Sequence, residues 1–328
     1  MSAMLRFEAA LSEAEAAFGL IPKASASAIA DAIRRFQMDP SKAKAGVKRD
    51  GLIIPALIDA LGETLSAADR PYLHLGATSQ DVIDTSLILR LKPALSLFRT
   101  DLERLIAWFD QEIAGKGDQM MMGRTRMQRA LPITIADRLR IWKTPLSRQL
   151  GALDRLEHDL LVVQLGGPVG RLEKLGDKGP ALRADLARRL ALRDPGQSWH
   201  AERDRFADLA GWLSKLTGAL GKIGQDVALM TQDEIGDARI EGGGRSSAMP
   251  HKRNPVHAEL LVTLASFSAS QLAAVHHALV HEGERSGSAW TLEWFTLPPM
   301  VAAAGSALSI ARLMTAALIL APDAALKA

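Results

Sequence analysis

Between Gly242 and Glu259 the chain reads GGGRSSAMPHKRNPVHAE, a short stretch that crowds glycines, paired serines and the side chains of Lys252, Arg253 and Asn254 together. Glycine lets the backbone take positive φ and come close to a ligand, while Pro250 and Pro255 stiffen the far side before a helix begins. Backbone amides, hydroxyls and a placed cation converging on one spot make a loop suited to holding an anion.

A second group of donors stands at Thr78, Ser79 and Gln80, with Asp81 behind them, just ahead of a long helical pattern. The N-terminus of a helix presents unpaired N–H groups and the positive end of the helix dipole, so these residues read as a cradle for a carboxylate. The same residue types cap helices, and Ser79 or Asp81 reads equally as an N-cap. His74 either orients a ligand or supports the fold. His276, His277 and His281 include an i, i+4 pair, but no acidic motif accompanies them, and neither a metal nor another cofactor is expected.

The elements that must position these groups are helices. Leu87, Leu91, Leu95, Phe98, Leu102, Leu105, Phe109 and Ile113 recur at spacings of three and four, and so do Phe206, Leu209, Leu213, Leu216, Leu220, Ile223, Val227 and Met230. Such stripes average about 3.5 residues and predict long helices packed nearly parallel. Pro93 predicts a kink in the first. Three more helices are expected at 132–163, 255–281 and 293–320, and no convincing strand is visible. The fold class expected is therefore all-α. A small N-terminal helical domain over 1–80, broken by Pro22, Pro40, Pro55 and Pro71, precedes a bundle of about five long helices over 81–328. In the fourth bundle helix Leu261, Val262, Leu264, Phe267 and Leu272 need burial on several sides.

Bulk properties narrow the partners. With 328 residues and 48% hydrophobic content the chain can bury a large core. Its net charge is +3, yet Lys and Arg form no long run and aromatics are 5%, which does not suit nucleic acid. A small polyanionic ligand explains the basicity as well. With no cysteine, thiolate catalysis and disulfides are excluded, and a cytoplasmic location is expected. Glu8, Glu13 and Glu15 make the N-terminus an amphipathic helix rather than a secretory signal. The apolar stretch 301–321 has Arg312 near its centre and reads as a bundle helix, so no membrane partner is expected.

The loop at Gly242 to Glu259 resembles the signature of the fumarase/aspartase superfamily, whose members add or eliminate a group across a C–C bond beside a carboxylate. HLGATSQDVIDT (His74 to Thr85), WHAERDR (Trp199 to Arg205) and HEGERSGSAWTLEW (His281 to Trp294) are most similar to the 3-carboxy-cis,cis-muconate cycloisomerase branch. The resemblance covers nearly the whole chain. It implies a homotetramer with active sites shared between subunits, and a C-terminal helical domain that is here reduced or absent.

By motif position the resemblance makes Ser246 the group that gives or takes the proton on carbon, its alkoxide stabilised by loop amides and by Lys252. Lys252 and Asn254 would grip a substrate carboxylate, flanked by Ser247 and Met249. Arg124, Thr125, Arg126, Gln128 and Arg129 occupy the block GRTRMQRALPIT, where many members carry Gly-Arg-Thr-His and cycloisomerases often carry histidine after the glutamine. Arg126 and Arg129 stand at those two positions and cannot exchange a proton near neutral pH. That loss weighs against amine elimination and less against lactone formation, whose nucleophile is an ionised carboxylate. His200 is a candidate for acid/base work, for a hydrogen bond to substrate or for structure, and Arg203 for substrate binding. Glu282 and Arg285 are expected to pair with each other. The activity implied is closure of 3-carboxy-cis,cis-muconate to 4-carboxymuconolactone. Alternatives are an adenylosuccinate-lyase-like elimination and a catalytically silent binding protein of the same fold.

Overall fold

The structure is a computed structural model and describes residues 1–242, 244–249 and 252–320. Gly243, Pro250 and the stretch after Leu320, with any C-terminal domain expected there, lie outside the described residues. In chain order the described helices are α1 (Ser2–Ala17), α2 (Lys23–Arg35), α3 (Pro40–Asp50), α4 (Ile54–Gly62) and α5 (Ser79–Lys116). A hairpin follows, β1 (Met120–Thr125) and β2 (Gln128–Thr134), then α6 (Ile135–Leu160), α7 (Gly179–Leu190) and α8 (Asp204–Met230). Strand β3 (Ala238–Ile240), α9 (Val256–His277), α10 (Ser288–Ala317) and strand β4 (Leu318–Leu320) complete them.

The all-α class holds, and the strands are the exception to it. The hairpin takes the residues Pro132 to Thr134 that the helical pattern would have given to α6, and α10 starts five residues before Glu293. Helix α5 continues through Pro93, whose missing N–H removes one ladder bond without ending the helix.

By contacts the chain forms two compact units, with boundaries inside α5 at Pro93/Ala94 and inside α6 at Leu156/Glu157. The first comprises 1–93, 157–203 and 281–287. Within it α1 packs on α2 and α7. Ile29, Ala32, Leu61 and Leu73 form a core cluster there with Leu5, Ile58 and Tyr72 against it. Two acids of α1, Glu8 and Glu15, are buried as well.

The second unit comprises 94–156, 204–280 and 288–328. Its stripes are buried as their spacing required: Leu95, Phe98, Leu102, Leu105 and Phe109 on α5, and all eight named positions of α8. Helices α8 and α9 approach through glycine. A Cβ on Gly224 would sit 2.5 Å from the Ala258 carbonyl oxygen and 2.9 Å from the Leu261 Cβ. Helix α10 packs on both, and Arg312 on it donates to Asp101 at 2.6 Å. Helices α9 and α10 are long and apolar enough to cross a membrane by composition alone. Within this chain α9 leaves Leu260 and Phe267 exposed, and α10 leaves Phe295 exposed at 73%.

Candidate active site

The serine loop belongs to the second unit and hangs between β3 and α9. Its two ends are zipped together: the Asn254 N–H donates to the Gly244 carbonyl at 2.9 Å, and Arg245 and Arg253 form an antiparallel bridge. Gly244 has φ +62°, and a Cβ there would lie 1.8 Å from the Asn254 carbonyl oxygen, so only glycine closes this neck. Inside it the Ser246 hydroxyl oxygen accepts the Met249 N–H at 3.1 Å and the Ala248 N–H at 3.4 Å. The Lys252 N–H donates to the Met249 carbonyl at 3.0 Å, which keeps Lys252 in the same turn. Ser247, Met249 and Lys252 are exposed, and Ser246 and Asn254 half-buried. A cavity of about 810 Å³ is lined by Met249, Lys252, Arg253 and Asn254 on one side and by Thr231, Asp233 and Ile240 on another.

The arginine block forms the β1–β2 hairpin of the same unit. Thr125 pairs with Gln128 and Arg124 with Arg129, leaving Arg126 and Met127 as a two-residue turn. Both turn residues have positive φ, +49° and +68°. Hairpin turns of this kind favour Asn or Gly, and two bulky side chains there hold local strain. Arg126, Gln128 and Arg129 are exposed. Arg124 instead reaches the buried Asp237 carboxylate at 3.3 Å.

The first unit holds the start of α5. Thr78 and Ser79 are half-buried, and the Thr78 hydroxyl accepts from the Arg285 guanidinium at 2.5 Å. Arg285 therefore does not pair with Glu282. The Ser286 hydroxyl and the loop's own backbone N–H groups hold the Glu282 carboxyl below its usual range. Gln80 is buried, its amide donating to the Asp84 carboxylate at 3.2 Å and to the His200 carbonyl at 2.9 Å. Asp81 is also buried, facing the protein rather than solvent. His200 lies 2% exposed with Nε2 on Asp81 at 2.8 Å. Arg203 grips Asp84 with two nitrogens, at 2.7 and 3.2 Å, and stacks over Trp199 at 5.0 Å from the ring centre. Gln80, His200 and Arg203 thus meet one another inside this unit. Asp81, Asp84, Gln164 and Arg285 complete the cluster, and of these Asp84 and Gln164 were not singled out from sequence. The spacing of Asp81 and Asp84, one helical turn apart, was the available sign.

Comparison with known proteins settles the family. A family described as lyase matches residues 1–269. The chain belongs to this family. It is an enzyme of the fumarase/aspartase superfamily, as the loop signature implied. It is 38% identical over 314 residues to the 3-carboxy-cis,cis-muconate cycloisomerase of Pseudomonas aeruginosa, spanning 94% of this chain and 68% of that protein. It is 39% identical over 312 residues to the enzyme of the same name from Bradyrhizobium diazoefficiens, spanning 93% and 69%. Its fold matches the crystal structure of the 3-carboxy-cis,cis-muconate lactonizing enzyme from Pseudomonas putida with a TM-score of 0.92 at 36% identity. That match covers 98% of this chain and 73% of that one.

Proposed function

We propose that this enzyme closes 3-carboxy-cis,cis-muconate to 4-carboxymuconolactone in aromatic catabolism. One substrate carboxylate attacks the double bond: a C–O bond forms, the π bond breaks, and the carbon that gains electron density takes a proton from Ser246. The serine alkoxide left behind recovers its proton from solvent. The observation that carries this assignment is the pair of backbone N–H groups, from Ala248 and Met249, already directed at the Ser246 oxygen. They favour the alkoxide without reorganisation, and Lys252 in the same turn adds positive charge. The attacking carboxylate is ionised and needs no base, so Arg126 and Arg129 are compatible with this chemistry.

Substrate carboxylates are met by Lys252, Asn254, Ser247 and Met249 on the loop, by Thr78 and Ser79 ahead of α5, and by Arg124, Thr125, Arg126, Gln128 and Arg129 on the hairpin. Gln80, Arg203 and His200 support Thr78 and Ser79 from within the first unit, because their side chains are buried in bonds to protein. The enzyme works as a cytoplasmic homotetramer. The exposed loop and hairpin, with the exposed apolar residues of α9 and α10, support sites completed by neighbouring subunits.

Lactone closure breaks the diene conjugation, so loss of ultraviolet absorbance from 3-carboxy-cis,cis-muconate is the direct test, with adenylosuccinate as control. Turnover of the muconate alone is expected, and turnover of adenylosuccinate alone overturns the reading. Ser246→Ala should lower kcat by about a hundredfold or more with folding and substrate binding retained. Unchanged turnover would remove Ser246 from the mechanism.

A further inference from the structure

Asp81 is fully buried, yet its carboxylate collects five donors from three separate stretches of the first unit. Oδ1 accepts from the Gly166 N–H at 2.9 Å, from Gln164 Nε2 at 3.3 Å and from His200 Nε2 at 2.8 Å. Oδ2 accepts from the Thr78 N–H at 2.9 Å and from the Gly167 N–H at 3.0 Å. Three of the five are backbone amides, whose positions side-chain packing alone sets poorly. The neighbouring acid one turn on, Asp84, is used in the same way by Arg203 and Gln80. Surrounding loops leave no slack: a Cβ on Gly166 would meet the Ser198 hydroxyl at 2.4 Å and the His200 ring at 3.0 Å.

We infer that Asp81 is a positioning residue for substrate binding, acting through the Thr78 backbone. The amide of Thr78 is fixed on Oδ2, which sets the backbone from which its hydroxyl, bonded to Arg285, is presented at the head of α5. Asp81 touches no substrate. His200 is part of the same device: its Nε2 proton is spent on Asp81, and its ring is buried. The inference rests on the reading that Thr78 meets a substrate carboxylate.

The substitution Asp81→Asn separates the two oxygens. An asparagine keeps one acceptor for the three donors at Oδ1, but its NH2 group faces the N–H groups of Thr78 and Gly167, donor against donor. With 3-carboxy-cis,cis-muconate, KM should rise about tenfold or more while kcat changes less than threefold. Thr78→Ala should also raise KM, and adding it to Asp81→Asn should raise KM less than twofold further, because the two act through one contact. Fully multiplicative effects overturn the positioning role and leave the Thr78 reading standing. A Thr78→Ala variant with wild-type KM overturns both. If Asp81→Asn does not accumulate folded, His200→Ala removes one donor from Oδ1 and leaves the backbone amides. It should lower kcat/KM through KM with the pH dependence of kcat retained. A hundredfold fall in kcat with loss of one limb of the pH profile would make His200 a proton-transfer group and overturn the assignment.

Discussion

Glu15, in the last turn of α1, is buried with neither carboxyl oxygen bonded. Burial, helped by the nearby Glu8 charge, pushes its pKa up to about 9 from 4.5. The folded chain then holds a proton through a window where the unfolded chain has released it, so stability falls as pH rises from about 4.5 to 9. His74 acts in the same direction. Burial opposes its charged form, but Glu8 at 2.7 Å outweighs this and the ring is raised above 6.5, a contribution lost as pH rises through the folded value. Glu15→Gln keeps the shape and removes the proton to be lost. Its unfolding midpoint should exceed wild type by a few degrees at pH 8 and match it near pH 4.5, measured by calorimetry. An equal midpoint at both pH values would mean Glu15 is ionised in the fold. Sequence showed α1 as amphipathic, but it gave no way to see that two of its acids turn inward, since a buried glutamate and an exposed one are written alike. Asp81 is the same case. Grouped from sequence with Thr78 and Ser79 as a cradle or a cap, it proves to be the acceptor that holds the Thr78 N–H and four further donors.

At the scale of elements, spacing was the strongest guide. The stripes of α5 and α8 were legible because alternation of three and four is what a helix buried along one side must show. The hairpin was not, because its turn is Arg126-Met127 instead of Asn-Gly and Pro132 stands within β2, both of which argue against a strand. The α8–α9 contact makes a paired test. Gly224→Ala should cost about 1–3 kcal/mol by pushing a methyl group into Ala258 and Leu261. Gly218→Ala on the same helix meets nothing within 4 Å and should stabilise by about 0.5–1 kcal/mol. Denaturant unfolding of both variants checks this, and equal effects would mean that helix propensity, not contact, dominates at both sites.

For the whole molecule, the superfamily and the dominance of helices were readable from motifs and periodicity. How 1–93, 157–203 and 281–287 gather into one compact unit was not, because contacts between distant stretches leave no trace in local composition. The proposed assembly is tested on the surface of the second unit, where Leu260, Phe267 and Phe295 lie exposed on helices otherwise rich in apolar residues. Light scattering on the purified protein should give about four times 35.3 kDa. Leu260→Lys together with Phe295→Asp should reduce that mass and turnover together. A monomer with full turnover would show that each chain carries a complete site.

The last described strand has a mechanical meaning. Leu318 to Leu320 pair with Ala238 to Ile240, and the Glu241 N–H bonds the Ala317 carbonyl at 2.9 Å, one residue before the glycines of the serine loop. The end of α10 is thus laced to the root of the loop. A shift at the end of α10 is carried across this ladder to the strand from which the Ser246 loop is suspended, so the last turn of that helix and the serine loop move as one piece.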